Sequence, residues 1–498
     1  MTMRSTTLKR VVGLVALLAL AGTAGADITL FAKGSVPGDA RDKSELTGES
    51  VPGVANDLFG SWGSAITYLW RDNLYIAVDD RGPQDGKAKW QTRMHMLTIT
   101  PPEAAGGELK IELKNTELLR DLRDKPFWGS SAAIDAGLRA KAIDARRLDP
   151  EACREGRDGS LWIADEYGPH IDRIDAKGRR YDRLAIPDHY RIQKPSPDPD
   201  KELPPNNTSG RQPNRGFEGL AINPTGTKLF AIPQSPLLQD AGLNDKNERI
   251  GKNIRMLQIG VETGDEWGKT KEYVYQIDDA KQGVSEILAV NSRQFLVLER
   301  DGKAGAEAKS KKIYLIDIDG ATDVSAIEAL PAGDLPETIT PVRKKLLIDL
   351  LDAKFKLAGE GMPEKIEGLT WGPELADGRL TLLVTTDNDL NPKQPTHVWM
   401  FAIEKSDLPD YAKQIIDALE KQAEGADQAQ PAAQPGLPGK PMPGEPAIRR
   451  TPRPPVDHPA QDHVQPPETP APATEPKATP KSTPSSEPQP TSAPAPKQ

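Results

Sequence analysis

The sequence predicts an all-β protein of the β-propeller class. An apolar strand that ends in a carboxylate or its amide occurs five times, and a second short phrase precedes most of its copies by about fifteen residues. Turn dipeptides such as Asp158-Gly159 and Asp377-Gly378 separate further β-rich runs. Repetition over a long period is typical of proteins built from repeated units. In a propeller these units are four-stranded blades, and matching residues of successive blades face one central channel.

The apolar phrase locates one strand in each blade. Its copies end 87, 68, 65 and 88 residues apart, whereas a four-stranded blade needs roughly 40–50 residues. We therefore expect long insertions, six blades with seven as the alternative, and ring closure by pairing of 28–31 with 398–403. The copies occupy 74–79, 161–166, 229–234, 294–299 and 382–387.

The companion phrase usually begins with a glutamate. Its copies are Gly63 to Ile66, Glu151-Ala152, Glu218 to Leu220, Glu286 to Leu288, and Glu367 to Leu369. The loop 188–216, rich in proline and asparagine, lies between two of these units, and loops of this length over a channel often contribute to a site.

Composition divides the chain into four segments. Residues 1–26 have a basic start, a short apolar core and an Ala-x-Ala site at Ala24 to Ala26, which predicts a Sec signal peptide cleaved after Ala26 and no lipid anchor. Residues 27–406 are the predicted propeller. The spacing of apolar residues in 407–423 predicts an amphipathic helix that packs on the domain. Residues 424–498 lack aromatic side chains and are rich in proline, alanine and threonine, so we expect a disordered tail, either inert or contacting cell-envelope components.

Charge and cysteine content exclude several classes of protein. The formal net charge of −9 becomes about −12 once the three cations Arg4, Lys9 and Arg10 leave with the signal peptide. Such a chain is a poor general binder of nucleic acid. No later segment is apolar enough to cross a bilayer, so we expect a periplasmic or secreted protein without an integral membrane segment. The single cysteine, Cys153, excludes an intrachain disulfide, and we expect it to be packed in the core.

Acids at matching positions of the repeats are the strongest candidates for a site. They follow the apolar strand at the point where its pattern stops, which a closed ring would place at the channel mouth. So many carboxylates around one axis repel one another unless cations neutralise them. A structural alternative is that each acid caps a turn or pairs with a neighbouring arginine, such as Arg81 or Arg300. For one acid the structural alternative is stronger, whereas the recurrence favours a shared site.

Oxygen-rich surroundings suit Ca²⁺ better than Zn²⁺, which prefers nitrogen and sulfur ligands. The arginines beside the acids could bind an anionic group with paired hydrogen bonds. The sequence carries no Gly-x-Ser-x-Gly elbow and no His-Glu-x-x-His motif, so a serine hydrolase or zinc protease has no support. The predicted catalytic residues are Glu166, Glu218, Glu299 and Glu367; the predicted substrate-binding residues are Arg81, Arg215 and Arg300; the predicted metal ligands are Asp79, Glu151, Asp165, Asp387 and Asn388.

Several of these phrases resemble the phytase-like proteins with esterase-like activity, a family related to the β-propeller phytases. The matching segments are Asp149 to Glu151, Gly159 to His170, Asn214 to Ala221, Leu296 to Arg300, Ile366 to Leu369, and Thr386 to Asn388. The resemblance implies an exported propeller with Ca²⁺-dependent hydrolysis of an ester or phosphoester. Gln234 and Ala152 depart from the family's pattern, which has an acid and a glycine at those places.

The sequence thus favours an exported hydrolase of small ester or phosphoester substrates with Ca²⁺ in the channel. The alternative is a non-catalytic propeller that binds a ligand or a protein partner at the channel mouth, and a lactonase-type propeller is a third reading. Fold alone does not choose among them, because propellers host all of these roles.

Overall fold

The computed structural model describes residues 28–130, 146–261 and 264–417, and these residues form five β-sheets of four or five strands around one axis, besides a two-stranded hairpin at 49–55. The helices within these ranges are short 3₁₀ turns, at Asp188–Tyr190, Pro199–Glu202, Leu238–Asp240, Gly305–Glu307, Ala353–Phe355 and Lys405–Asp407. The strands in chain order are β1 (Thr29–Val36), β2 (Glu49–Val51), β3 (Val54–Ala55), β4 (Ala65–Tyr68), β5 (Leu74–Val78), β6 (Arg93–Thr100), β7 (Lys110–Leu118), β8 (Arg120–Asp121), β9 (Pro150–Glu155), β10 (Leu161–Asp165), β11 (His170–Ile174), β12 (Arg179–Arg183), β13 (Phe217–Ile222), β14 (Lys228–Pro233), β15 (Asn253–Gly260), β16 (Thr270–Gln276), β17 (Gly283–Ala289), β18 (Gln294–Arg300), β19 (Lys311–Asp317), β20 (Arg343–Asp349), β21 (Ile366–Trp371), β22 (Leu380–Thr386) and β23 (Thr396–Ile403).

Each sheet is one blade of a propeller. Blade 1 contains β4 to β7, blade 2 contains β9 to β12 with β8 added in parallel at its outer edge, blade 3 contains β13 to β16, and blade 4 contains β17 to β20. Blade 5 has the order β21-β22-β23-β1, so the first strand of the domain is its outermost strand. Thr29 lies opposite Ala402 and Val36 opposite Thr396, which confirms the predicted closure of the ring.

The described residues form five blades, so the predicted count of six or seven was wrong. Every copy of the apolar phrase is the second strand of a blade, in β5, β10, β14, β18 and β22, and its five copies therefore equal the five blades. The long gaps between copies are loops rather than an additional blade. One such loop, 184–216, connects blade 2 to blade 3.

The companion phrase forms the innermost strands. β4, β9, β13, β17 and β21 contact one another in cyclic order around the axis. Glycine in this phrase allows the inner strands to approach closely, since a Cβ on Gly219 would lie 2.7 Å from Ile287 N and one on Gly368 would lie 2.7 Å from Gly63 O. The phrase is therefore a packing signal as well as a source of acids.

The hydrophobic core lies between neighbouring blades. Phe230 of blade 3 packs against Phe295 of blade 4 with ring centroids 4.4 Å apart. Cys153 is fully buried between blades 1 and 2, as predicted, and burial raises the pKa of its thiol. No helix among the described residues is long and apolar enough to cross a membrane.

Most of the described chain after blade 5 is not helical. In the predicted helix 407–423, Asp407 ends a 3₁₀ turn, residues 408–416 have no helical structure, and Asp417 is helical. Residues 408–416 cross the face opposite the cavity described below, where Ala412 N donates to Val290 O (2.9 Å) and Ile415 N donates to Pro224 O (2.8 Å). Because loops of blades 3 and 4 accept these bonds, tertiary contacts override the helical spacing. The predicted signal peptide, the rest of the helix range and the tail lie outside the described residues.

A buried ion pair connects the inner strands. Arg154 of β9 donates to the carbonyl oxygens of Ile66 (3.0 Å), Ile287 (3.0 Å) and Leu369 (3.3 Å), on β4, β17 and β21. Its Nη2 lies 2.9 Å from Glu286 Oε2. Glu286 Oε1 in turn accepts from Leu220 N of β13 (3.0 Å), so this pair contacts all five inner strands. Burial raises the pKa of Glu286 to about 8, although Arg154 opposes this shift.

We expect Arg154→Met to destabilise the protein by about 3–5 kcal/mol, because it removes bonds to three other inner strands and leaves Glu286 buried without its partner. Urea unfolding followed by circular dichroism measures the change. The control is Arg293→Met, since Arg293 pairs with Asp410 at an exposed site and should contribute less than about 1 kcal/mol. Equal effects of the two substitutions would contradict the assigned role of Arg154.

Candidate functional site

A polar cavity of about 340 Å³ opens at one end of the channel. Each blade supplies charged side chains to it, because the inner strands and the loops after the second strands all end there. Its walls include Arg81, Asp85, Glu151, Asn214, Arg215, Glu218, Gln234, Arg249, Lys281, Ser285, Arg300, Glu364, Lys365, Glu367 and Asp389. This cavity is the candidate site.

One wall holds three buried carboxylates whose oxygens lie within 4.8 Å of one another, those of Asp149, Glu151 and Glu166. Asp149 Oδ2 and Glu166 Oε2 are buried and accept no hydrogen bond. Burial raises the pKa of all three carboxyl groups, and the charge of Asp80 raises them further.

Arg81 lies beside these three acids without binding them closely. Its Nη1 is 3.8 Å from Asp149 Oδ2, 3.8 Å from Glu151 Oε1 and 4.0 Å from Glu166 Oε2. Burial lowers the pKa of Arg81, but Asp80 and the three acids raise it more, so the guanidinium remains charged. These guanidinium distances exceed those of hydrogen bonds, although the backbone N–H of Arg81 donates to Asp149 Oδ1 at 2.9 Å.

A lysine fills a second group of acids. Lys365 Nζ lies 3.2 Å from Asp80 Oδ2, 3.0 Å from Asp387 Oδ2 and 2.5 Å from Asp389 Oδ1. Burial lowers the pKa of Lys365, yet Asp387 and Asp80 raise it well above the usual value. Its ammonium therefore remains charged and neutralises part of this group.

A second wall, from blades 3 and 4, is basic and adjoins the acidic one, since the charge of Arg215 opposes the rise that burial causes in the pKa of Glu166. Arg215 donates to Ser235 Oγ (3.2 Å), and no described carboxylate lies close enough to form an ion pair with Arg215 or Arg249. Burial lowers the pKa of Arg215 to about 10, and the charge of Arg249 adds to this shift. Arg300 is instead paired with Glu367 at 2.5 Å. The guanidinium groups of Arg215 and Arg249 thus line the cavity and are available to bind an anion.

Glu218 lies between the two walls. Gln234, from the adjacent strand end, donates to its Oε1. Burial raises the pKa of Glu218 well above the usual value, and the charges of Glu166 and Glu367 add to the increase. A carboxyl group with a raised pKa in a cavity can accept or donate a proton near neutral pH.

The structure brings most of the sequence-predicted residues together. Those that line the cavity are Arg81, Glu151, Arg215, Glu218, Arg300 and Glu367. Glu166 and Asp387 lie directly behind the wall, in the two acidic groups. The remaining four predicted residues have contacts elsewhere.

Asp79 and Glu299 point away from the axis, toward the outer strands of their blades. Asp79 Oδ1 lies 2.7 Å from His95 Nε2 of β6. Glu299 Oε2 accepts from Tyr275 Oη (2.8 Å) and lies 2.7 Å from Lys344 Nζ of β20. The alternation along a strand explains both placements, because in each case the next residue, Asp80 or Arg300, is directed to the site instead.

Asp165 and Asn388 hold the loops of the site. Asp165 Oδ1 accepts from Asp149 N (2.9 Å) and Oδ2 from Gly168 N (3.0 Å), and burial raises the pKa of Asp165 to about 6. Asn388 Oδ1 accepts from Ser61 N (2.9 Å). Their side chains therefore position the backbone beside the acids.

Sequence reasoning missed several members of the site. Asp80 and Asp149 each lie within two residues of a predicted member, and testing both strand faces could have found them. Lys365 likewise lies two residues before the predicted Glu367. Arg249 lies in the loop between β14 and β15, and no repeated pattern marks it.

The donor set of Asp149, Glu151 and Glu166 fits a hard divalent cation. Its ligands are carboxylate oxygens, two of these oxygens have no partner, and Arg81 neutralises only part of the charge. Lys365 contacts Asp80, Asp387 and Asp389 rather than these three acids, so its charge does not balance theirs. Backbone amides already occupy Asp165 and Asn388, so these two residues are less suited to bind the ion.

We expect Ca²⁺ to raise the melting temperature more at pH 8 than at pH 5. In the folded protein the pKa values of Asp149, Glu151 and Glu166 are raised. Protonation of these groups therefore contributes fully to the free energy of unfolding below the unfolded-state pKa near 4, and this contribution is lost as the pH rises through the folded-state pKa values. At pH 8 the carboxylates are more ionised, and a bound cation offsets this loss. Differential scanning calorimetry with Ca²⁺ and with EDTA measures this shift in melting temperature at both pH values. A shift equal at the two pH values, or greater at pH 5, would contradict the assignment.

Known proteins provide a comparison for this site. The chain is 28% identical over 350 residues to an uncharacterized secreted protein of Arthroderma benhamiae. The matched region covers 57% of this chain and 65% of that protein. The chain thus spans less than two thirds of the length of this curated relative.

Solved structures are similar at low identity. A β-1,3-galactosidase with galactodeoxynojirimycin is 8% identical, with a TM-score of 0.36, over 72% of this chain and 94% of that chain. A gluconolactonase of Xanthomonas campestris is 11% identical, with a TM-score of 0.30, over 74% and 97%. The calcium-binding protein regucalcin of Agrobacterium tumefaciens is 13% identical, with a TM-score of 0.28, over 68% and 93%. Similarities of this size carry no argument about the present chain.

The family comparison is decisive. The pattern of the phytase-like family, described as esterase-like activity of phytase, matches residues 57–390. This match covers more than half of the 498 residues and includes every element that contributes to the acidic wall. The chain belongs to the phytase-like family.

Proposed function

We propose that this protein is an exported hydrolase that cleaves a small phosphate or carboxylate ester in the cavity at the channel mouth. The observation that carries the proposal is the division of one cavity into an acidic wall with unsatisfied carboxylates and a basic wall with unpaired arginines. A hydrolase of anionic esters needs both features, a cation site and an anion site, on either side of the reacting bond.

Asp149, Glu151 and Glu166 would hold Ca²⁺ on the acidic wall, with Asp387 in the adjacent group. A bound Ca²⁺ would supply a Lewis acid for the ester oxygen. Arg215 and Arg249 on the basic wall bind the anionic group of the substrate, and Arg81 and Arg300 border the same space. Guanidinium groups suit this role because they donate paired hydrogen bonds to a phosphate or carboxylate.

Glu218 is the proposed general base. It lies between the walls, and its raised pKa allows a carboxylate oxygen to take a proton from the attacking water. The water oxygen forms the new bond to phosphorus or carbon, the bond to the leaving oxygen breaks, and the alcohol receives a proton from the same carboxyl group or from solvent. Gln234 holds Glu218 in place through its amide.

The second candidate is a non-catalytic propeller that binds an anionic ligand or a protein partner. The pairing of Arg300 with Glu367 and of Lys365 with three aspartates favours it, since these cations already have partners within the protein. Both candidate functions include two further proposals. The signal peptide at 1–26 directs export, and the tail at 424–498 contacts cell-envelope components.

We expect turnover of an aryl phosphate or an aryl acetate in the presence of Ca²⁺, and a fall of about 10²–10⁴-fold in kcat for Glu218→Gln because proton transfer is lost. Initial rates of nitrophenol release measure the turnover and the change in kcat, and calorimetric titration with Ca²⁺ measures metal binding by the same variants. The control is Glu266→Gln, a substitution at an exposed residue paired with Lys269. Ca²⁺ binding without turnover of either ester would favour the second candidate.

Arg215→Met should raise KM for an aryl phosphate by about 10–100-fold, because a charged hydrogen bond contributes about 1.5–3 kcal/mol. KM for an uncharged aryl acetate should change little. The ratio of the two KM values, compared with that of the exposed control Arg293→Met, is the measurement. Equal changes for both substrates would show that Arg215 does not bind the anionic group.

A further inference from the structure

The site contains more than one group of carboxylates that could hold a cation. The first is Asp149, Glu151 and Glu166, and the second is Asp80, Asp387 and Asp389. A third, Asp80, Glu151 and Glu367, shares one acid with each of them, and its Asp80 and Glu367 already pair with Lys365 and Arg300. In each group the carboxylate oxygens lie within 4.8 Å of one another. The first and second groups differ in what neutralises them.

Lys365 satisfies the second group. Its Nζ lies 2.5–3.2 Å from an oxygen of each of the three aspartates, which is hydrogen-bonding distance. The contacting oxygens of Asp387 and Asp80 therefore have a hydrogen-bond donor, the ammonium of Lys365. In the first group, Arg81 remains 3.8–4.0 Å from the acids, and two of their oxygens have no partner.

The backbone fixes the lysine in this position. Asp387 N donates to Lys365 O at 3.1 Å, so the two residues face each other across the edge of blade 5. Lys365 directly precedes β21, and Asp387 directly follows β22. The register of the sheet therefore places the ammonium of Lys365 beside Asp387, on a rigid part of the fold.

We propose that Lys365 acts as a built-in cation that takes the place of a divalent ion among Asp80, Asp387 and Asp389. A single positive charge and its N–H donors occupy the position that a Ca²⁺ ion would otherwise fill. The divalent ion of the proposed function, on which this inference rests, is then confined to Asp149, Glu151 and Glu166. The chain thus binds one Ca²⁺ fewer than its carboxylates could hold.

Calorimetric titration of the metal-free protein with CaCl₂ tests the inference. We expect Lys365→Met to bind one more Ca²⁺ per chain than the wild type, because three carboxylates without their ammonium form a new cation site. Lys365→Arg retains the charge and should keep the wild-type number. An unchanged number of bound ions in Lys365→Met would overturn the inference.

Lys344→Met is the matched control. Lys344 is partly buried to a similar extent and lies 2.7 Å from both Asp278 and Glu299, but outside the cavity. With only two carboxylates left, it should gain no Ca²⁺ site. A gain equal to that of Lys365→Met would show that removing any buried lysine creates a site, and would overturn the inference.

Thermal unfolding provides a second readout. Metal-free Lys365→Met should have a lower melting temperature than the wild type, and millimolar Ca²⁺ should restore it. A variant that remains unfolded in millimolar Ca²⁺ would contradict the inference, because an ion at the three aspartates should replace the ammonium. If the wild type binds no Ca²⁺ and Lys365→Met binds one, the metal part of the proposed function fails while this inference stands.

Discussion

The guanidinium of Arg154 and the carboxylate of Glu286 meet at the axis of the propeller, where all five inner strands converge. Neighbouring inner strands of a propeller are not joined by a continuous β-ladder, so their peptide groups at the axis need other partners. Arg154 provides five N–H donors in a planar group and can bond several carbonyl oxygens at once. The pair lies on the axis between the polar cavity at one end and a smaller pocket, lined in part by Arg154, at the other.

Charge balance then decides the chemistry at the open end. The acids of blades 1, 2 and 5 exceed the cations beside them, whereas Arg215 and Arg249, both at blade 3, form no ion pair with a described carboxylate. Burial disfavours the charged forms in both sets, because it raises the pKa of the acids and lowers the pKa of Arg215. A metal ion and an anionic substrate would satisfy the two walls together. Lys365 shows that the protein also neutralises part of the acidic wall with its own side chain.

The comparison of Glu166 with Glu299 shows how far the repeat could predict the site. Both residues end an apolar strand, yet Glu166 joins Asp149 and Glu151, and Glu299 binds Tyr275 and Lys344 behind the site. The repeat specifies where a strand ends but not which face its last side chain takes. The register shift between the first and second strands does not distinguish the two residues, because it occurs in both of their blades. Arg249 could not be found at all, since a long loop carries it to the cavity and no pattern constrains that loop.

The sequence by itself determined the class of fold, the closure of the ring by its two ends, and the family, because strand periodicity and repeated phrases are local signals. It also placed Glu151, Glu218 and Glu367 on inner strands, since each opens the companion phrase. Only the tertiary structure decided the number of blades, the extended course of residues 408–416, and the pairing of Lys365 with three aspartates. These features depend on contacts between residues far apart in the chain, whose geometry is set by packing and charge rather than by local pattern.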